Sequence, residues 1–161
     1  MYSTTIIKIV VLFLLFMEIA EIKVSYSRNN TIKEKISCSK SAYDLLLSNW
    51  DKDILELQEE FKILLLNNSN QTLGIYSVAK GGTSFVGVDS KLVFSVALKC
   101  NATAIILAHN HPSGKLFPSE SDKELTRKLK TASEYLDICV LDHIIVTKNG
   151  YFSFKDSGEL E

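Results

Sequence analysis

The sequence lacks the features that mark several common classes of protein. Its 18 lysines and arginines are balanced by 19 acidic residues, giving a formal net charge of −1 and no basic excess. Proteins that grip nucleic acid through many phosphates usually carry such an excess, so tight non-specific DNA binding is not expected. The cysteines (Cys38, Cys100 and Cys139) are odd in number and far apart, which excludes a disulfide framework and a CxxC metal site. Free thiols in a reducing compartment are expected, which favours a cytoplasmic location.

A hydrophobic run long enough to span a membrane is also missing. Residues 6–16 are strongly apolar, but Lys8 and Glu18 bracket only nine uncharged residues, where a spanning helix needs about 20. A secretory signal is a second interpretation, although no small-residue cleavage site follows. The third, which we favour, is that the working chain starts at Met17, so that residues 1–16 are dispensable and no membrane is involved.

The 161 residues suit a single domain, without internal repeats or linkers. After an extended arm over 17–38, hydrophobic periodicity and turn residues divide the chain into alternating elements. The predicted helices cover 39–50, 89–101 and 119–136, and the predicted strands cover 61–67, 73–80, 104–109, 138–146 and 151–154. This order predicts a mixed α/β sheet packed by helices, within a domain spanning 39–155 and followed by a polar tail at 156–161.

Two histidines and one carboxylate provide the candidate chemistry. His109 and His111 end a predicted strand, where alternate side chains point to the same side, so both imidazoles can meet one metal ion. Asp122 follows eleven residues after His111, and the Pro- and Gly-containing loop between them can bring its carboxylate to the same ion. Such a set leaves a fourth tetrahedral position open, as in catalytic zinc sites. Zinc is favoured over softer metals because no thiolate or thioether is nearby.

Each of these residues also has an ordinary structural explanation. Ser119 suits the N-cap of the predicted helix, and Asp122 suits its N3 position, where the helix dipole favours a negative charge. A His-x-His pair alone occurs on surfaces and in cores. The joint spacing favours a site, and a capping role does not conflict with a role in binding or catalysis.

The motif resembles that of a known family. His109, His111 and Pro112, followed by Ser119 and Asp122, resemble the JAMM motif of JAB/MPN-domain metalloproteases. The segments NATAIILAHNHPSG, PSESD and VLDHIIV resemble the bacterial RadC-like branch, over about residues 39–155. The resemblance implies a JAB/MPN-like (cytidine-deaminase-like) fold. Longer members carry a helix-hairpin-helix segment before this domain, and we expect this sequence to lack it.

The resemblance also implies a reaction, namely hydrolysis of a peptide or isopeptide bond with one Zn²⁺ per chain. The family uses a glutamate before an early strand to hold the attacking water, and its E-x-F pattern matches Glu59, with Glu60 as the second candidate. The alternative is that both are solvated charges. Glu59 would move a proton from water to the leaving amine, and the Ser119 hydroxyl would stabilise the oxyanion. The peptide or protein substrate and the oligomeric state are not indicated.

Two further readings of the sequence stay open. The alternative function is a DNA-repair-associated or nucleic-acid-associated module with a structural or inactive zinc site, for which Lys123, Arg127 and Lys130 would offer a basic helix face. A solvated face explains them equally, so DNA binding is predicted to be weak and salt-dependent at most. His143 is predicted to be a buried strand residue bonded to backbone rather than a fourth ligand, with a supporting role near the metal as the alternative.

Overall fold

The computed structural model describes residues 25–27, 34–82 and 87–160. The predictions for residues 1–16, for a start at Met17 and for most of the arm over 17–38 therefore lie outside the described residues. The elements in chain order are α1 (Ser39–Ser48), α2 (Lys52–Leu55), β1 (Glu60–Leu66), β2 (Thr72–Lys80), α3 (Ser90–Lys99), β3 (Ala104–Asn110), α4 (Glu120–Glu134), β4 (Cys139–Thr147) and β5 (Gly150–Ser153). Of the described helices, none combines the length and the apolar character that crossing a membrane requires.

The strands form one five-stranded sheet in the order β2-β1-β3-β4-β5. β1 runs antiparallel to both β2 and β3, β3 and β4 are parallel, and β5 returns antiparallel to β4. The predicted mixed α/β sheet and its two hairpins are confirmed. The short helix α2 was not among the predicted elements.

Helices cover both faces of the sheet, which explains why the central strands are so apolar. All seven residues of β1 and all seven of β3 are buried. On one face, α1 packs through Ala42 and Leu46 against a cluster that includes Ile106 of β3. On the other face, α3 and α4 pack against a second cluster that includes Leu107 of β3. A strand with helices on both faces needs apolar residues at every position rather than at alternate ones.

A register irregularity in β4 determines which of its side chains face α4. Ile105 pairs with Val140, but its neighbour Ile106 pairs with Asp142, so Leu141 is an extra residue on the β4 side. Beyond this bulge His143 lies beside Leu107, on the face covered by α3 and α4. Because the side-chain period of a strand is two, one inserted residue exchanges the faces of everything that follows.

The residues after β5 fold back onto the domain. The Leu160 backbone N–H donates to the Phe154 carbonyl at 3.1 Å, and the Leu160 side chain packs against the core cluster beneath α3 and α4. Glu159 forms an ion pair of 2.7 Å with Lys123 of α4. The predicted polar tail therefore has the expected composition and contacts α4 through one of its carboxylates.

Candidate metal centre

The end of β3, the following loop and the start of α4 bring two histidines and a carboxylate together. His109 is the penultimate residue of β3 and is only 2% exposed. Its Nε2 lies 3.0 Å from Nε2 of His111 and 3.3 Å from Oδ1 of Asp122, and His111 Nε2 lies 3.8 Å from Oδ2 of Asp122. One ligand atom from each residue can be chosen so that all three lie within 4.8 Å of one another. The structure thus assembles the trio that the spacing predicted.

Asp122 is oriented by the N-terminus of α4. Ser119 is the N-cap and Asp122 the N3 residue, as predicted, and their side chains form a reciprocal capping box. The Ser119 hydroxyl and backbone N–H donate to Asp122 Oδ2 at 2.6 and 2.7 Å. Two donors therefore occupy Oδ2, while Oδ1 faces His109. In this arrangement the Ser119 hydroxyl stabilises the Asp122 carboxylate, and its role toward an oxyanion stays a prediction.

His143 is fully buried, as predicted, but its ring is bonded to side chains rather than to backbone. His143 Nε2 lies 2.8 Å from His109 Nδ1, and His143 Nδ1 lies 2.6 Å from the Thr126 hydroxyl. Thr126 in turn donates to the backbone carbonyl of Asp122 at 2.6 Å. The prediction of a backbone partner is wrong because the bulge in β4 places the ring beside His109 and α4.

This chain of hydrogen bonds fixes where the protons lie. The Asp122 carbonyl can only accept, so the Thr126 hydroxyl gives its proton there and accepts from His143 Nδ1. Complete burial lowers the pKa of His143 well below its usual value, and the ring is therefore neutral with a lone pair at Nε2. His109 must then donate from Nδ1, which leaves its own Nε2 as a lone pair facing the site.

His111 is held in the matching tautomer. Its Nδ1 donates to the Lys115 carbonyl at 2.8 Å, so in the neutral ring its Nε2 also presents a lone pair. Two ring nitrogens that face each other as acceptors, with a carboxylate oxygen beside them, need a cation between them. Ligands at 2.0–2.1 Å around a tetrahedral zinc ion stand about 3.3 Å apart, which is close to the separations of the trio. The donor set therefore fits a metal ion.

The ionisation of the site agrees with this geometry. Burial opposes ionisation of Asp122, but the His109 and His111 rings, when they are protonated in the metal-free site, and the Ser119 hydroxyl together outweigh it and hold the pKa of the carboxyl far below its usual range. Burial likewise disfavours protonated His111, but Asp122 and the Lys115 carbonyl outweigh it and raise the pKa of that ring. The carboxylate attracts positive charge into the site, and either protons or a metal ion can supply it.

Glu59 and Glu60 face different surroundings. Glu59 lines the cleft that contains His109, His111 and Asp122, and burial is the main cause that raises the pKa of its carboxyl. Glu60 is 1% exposed and does not line that cleft; its carboxylate contacts Lys80 at 2.9 Å and Lys62 at 3.3 Å. The structure therefore places Glu59, and not Glu60, beside the trio.

The cleft has a polar floor and a partly apolar wall. Its volume is about 750 Å³, and its lining includes Phe61, Val88, Leu125 and Phe117. The Phe117 side chain is 82% exposed at this position. A cleft of this size admits a ligand larger than a single amino acid, and exposed apolar surface beside a polar centre is typical of a binding site.

Comparison with protein-family models identifies the family of this domain. The model of the RadC-like JAB domain matches residues 36–159, which is most of the chain and contains every residue of the site. The chain belongs to the RadC-like JAB family. The matched range begins three residues before α1, and it includes the segment that follows β5.

Several bacterial relatives of this RadC-like domain carry the name UPF0758 protein. The relative from Flavobacterium johnsoniae is 47% identical over 126 residues, covering 78% of the chain and 53% of the relative. The relative from Pelodictyon phaeoclathratiforme is 38% identical over 138 residues, covering 86% and 60% respectively. The relative from Porphyromonas gingivalis is 40% identical over 129 residues, covering 80% and 56%. The chain thus spans a little over half the length of these relatives.

In this RadC-like domain, the hydrogen bonds of His143 and Thr126 that orient the His109 ring can be tested by mutation. Replacing Thr126 with Val keeps the side-chain shape but removes the hydroxyl that accepts a hydrogen bond from His143 Nδ1. We expect zinc affinity to fall roughly 10- to 100-fold, because partners that orient metal ligands contribute about that much. Competition with a chromophoric chelator measures the affinity, and Thr126→Ser should restore it.

A matched control lies on the same helix. Ser133 is a buried residue of α4, about two turns after Thr126, and its hydroxyl donates to the Lys130 carbonyl at 2.7 Å. Ser133→Ala should leave zinc affinity unchanged. If Thr126→Val binds zinc as tightly as the wild type, the proposed support of His109 is wrong.

Proposed function

We propose that this chain is a zinc-dependent hydrolase of the JAMM type that cleaves peptide or isopeptide bonds. The observation that carries the proposal is the convergence of His109 Nε2, His111 Nε2 and an Asp122 carboxylate oxygen in the cleft that Glu59 also lines. In the neutral rings each nitrogen presents a lone pair, and the negatively charged carboxylate beside them favours a cation at the centre of the three atoms. Membership of the JAB family makes hydrolysis the first reaction to test.

Zinc is the metal we propose for this donor set. Two imidazole nitrogens and one carboxylate oxygen are three protein ligands, and catalytic zinc sites keep a fourth position open. A zinc ion held there would supply a Lewis acid that activates water and polarises the scissile carbonyl. The sulfur ligands that would favour copper or an iron–sulfur cluster do not occur in the described lining of the cleft.

Glu59 is the proton carrier in this proposal. Its carboxylate takes one proton from the attacking water as the water oxygen bonds to the scissile carbonyl carbon. When the carbon–nitrogen bond breaks, Glu59 passes that proton to the leaving amine, and the carboxylate is regenerated. The elevated pKa of Glu59, caused mainly by burial, brings the carboxyl closer to the range in which it can both accept and release a proton.

The cleft supports a peptide or protein as the substrate class. Its apolar wall can hold side chains that flank the scissile bond, while the metal trio and Glu59 address the bond itself.

The three cysteines are free thiols, Cys38 and Cys139 exposed and Cys100 buried. Free exposed thiols suit a reducing compartment, so a cytoplasmic location is part of the proposal.

The test is chelator-sensitive hydrolysis. Purified protein is incubated with a library of peptides and lysine-linked isopeptides, and new amino termini are quantified. Activity should disappear with a chelator and return with stoichiometric zinc, and His111→Ala should stay inactive with zinc present. Cleavage that persists in the chelator, or in the His111 variant, would contradict the proposal.

The alternative of a nucleic-acid-associated module finds less support in the charges of α4. Lys123, which would belong to the basic face, forms an ion pair with Glu159 at 2.7 Å. This pairing reduces the positive charge that the face can offer to phosphates. We therefore retain only weak, salt-dependent DNA binding as an expectation.

A further inference from the structure

Asn110 lies between the two histidines of the site but faces the other way. It ends β3, is completely buried, and is not among the residues of the metal trio. Its side-chain oxygen accepts the Glu60 backbone N–H at 2.7 Å, and its amide nitrogen donates to the carbonyls of Leu55 and Gln58 at 2.7 and 2.8 Å. One side chain thus holds three backbone groups of the segment between α2 and β1.

We propose that Asn110 is a positioning residue that aims the Glu59 carboxylate at the metal trio. This inference rests on the proposed function. The Gln58 carbonyl and the Glu60 N–H flank Glu59 on either side, and both are bound by the Asn110 amide. The Glu59 backbone itself is tied to the turn after β2, through its N–H to Gly82 and its carbonyl to Gly81. The peptide groups that set the direction of this side chain are therefore fixed.

The register of β1 explains why such an anchor is needed. The paired residues of β1 and β3 end at Phe61 and His109, so Glu60 would come next, opposite Asn110. The side-chain oxygen of Asn110 accepts the hydrogen bond of the Glu60 N–H, in place of a backbone carbonyl of a neighbouring strand. A shift of one residue at this point would exchange the faces of Glu59 and Glu60. The contacts of the buried Glu60 carboxylate with Lys62 and with Lys80, its partner on β2, support the same register.

The chemistry of the amide suits this task, and a carboxylate does not. The three bonds require one acceptor and two donors, which a primary amide provides. In Asn110→Asp, the oxygen that replaces Nδ2 would face two carbonyl oxygens with no proton to share. The segment between Leu55 and Gln58 would be pushed away while the size of the side chain stays the same.

A double-mutant cycle separates positioning from a merely structural role. The variants are Asn110→Asp, Glu59→Gln and their combination, each assayed for zinc content, kcat and KM with a peptide that the wild type cleaves. Asn110→Asp should keep its zinc and lose roughly 10- to 100-fold in kcat with little change in KM, because a small misplacement of a catalytic group has that effect. In the Glu59→Gln background the same substitution should have almost no further effect on kcat, because the group it positions is already absent.

Asn67→Asp is the matched control, and amide hydrogen exchange gives a readout that needs no activity. Asn67 also accepts two backbone N–H bonds through Oδ1, from Ser69 and Gln71, but it lies after the far end of β1. Asn110→Asp should accelerate exchange at Glu60, and Asn67→Asp should not.

Four outcomes are decisive. An unchanged kcat in Asn110→Asp, or an equal loss in both backgrounds, would overturn the inference while leaving the proposed function intact. Unchanged exchange at Glu60 would overturn the anchoring step itself. A wild type without chelator-sensitive hydrolysis would overturn the proposed function, and with it the catalytic part of this inference.

Discussion

Glu59→Gln should abolish most hydrolysis while the protein keeps its zinc. We expect kcat to fall roughly 10²- to 10⁴-fold, which is the usual contribution of a positioned general acid or base. The amide has the size of the carboxylate but cannot accept the proton of the attacking water. Glu59 is not one of the three candidate ligands, so zinc content should remain at the wild-type value.

Glu60→Gln is the control, and the structure changes what it should do. From the sequence alone, the substitution of the neighbouring glutamate would be mild. Because Glu60 is buried against Lys62 and Lys80, removing its charge leaves Lys62 poorly compensated and should lower the free energy of unfolding by roughly 3 kcal/mol. At a temperature well below its unfolding transition, this variant should keep most of its kcat. Glu60→Gln losing hydrolysis while Glu59→Gln keeps it would move the proton-transfer role to Glu60.

Zinc should raise the thermal stability of the metal-free protein substantially. A ligand that binds only the folded state adds about 2.7 kcal/mol when its free concentration is 100 times Kd. For a domain of this size that corresponds to an increase in Tm of roughly 5 to 11 °C. The physical reason is that the ion binds the folded trio, whose two ring nitrogens lie 3.0 Å apart, and has no such site in the unfolded chain. Calorimetry of chelator-treated protein with and without zinc measures the shift.

His111→Ala is the control for stabilisation by zinc bound elsewhere. His111 is half-buried and follows β3, so its removal should leave the core intact, whereas His109 is part of the packed sheet. The variant should show a much smaller shift in Tm at the same zinc concentration. A full shift in this variant would mean that zinc stabilises the protein through a different site.

The metal trio could be predicted from the sequence because local structure determines most of its geometry. His109 and His111 are two residues apart at a strand end, and the capping box of Ser119 and Asp122 orients the carboxylate at the start of α4. Beyond these two local features, the site requires only that the loop between His111 and Ser119 reverse the direction of the chain. The fold class was predictable for a similar reason, since each long helix has apolar residues at helical spacing and each central strand is a short, nearly continuous apolar run.

The surroundings of the trio could not be predicted because they depend on register between distant strands. Glu59 and Glu60 are adjacent, and only the E-x-F pattern of the family favoured Glu59; physically, the pairing of β1 with β3 decides which of the two faces the cleft. His143 reaches His109 only because Leu141 is inserted in β4, and nothing in the sequence marks that bulge. The sequence does not indicate the three hydrogen bonds of the Asn110 side chain, because an asparagine in a His-x-His motif looks like a spacer.

Anomalous diffraction at the zinc edge tests the central claim most directly. Crystals of protein purified without added metal should show one strong peak per chain, at about 2.0–2.2 Å from His109 Nε2, His111 Nε2 and an Asp122 carboxylate oxygen. Crystals of His111→Ala should show a weak peak or none. A wild-type site that shows no peak even after soaking in zinc, or a peak bound by other residues, would contradict the account.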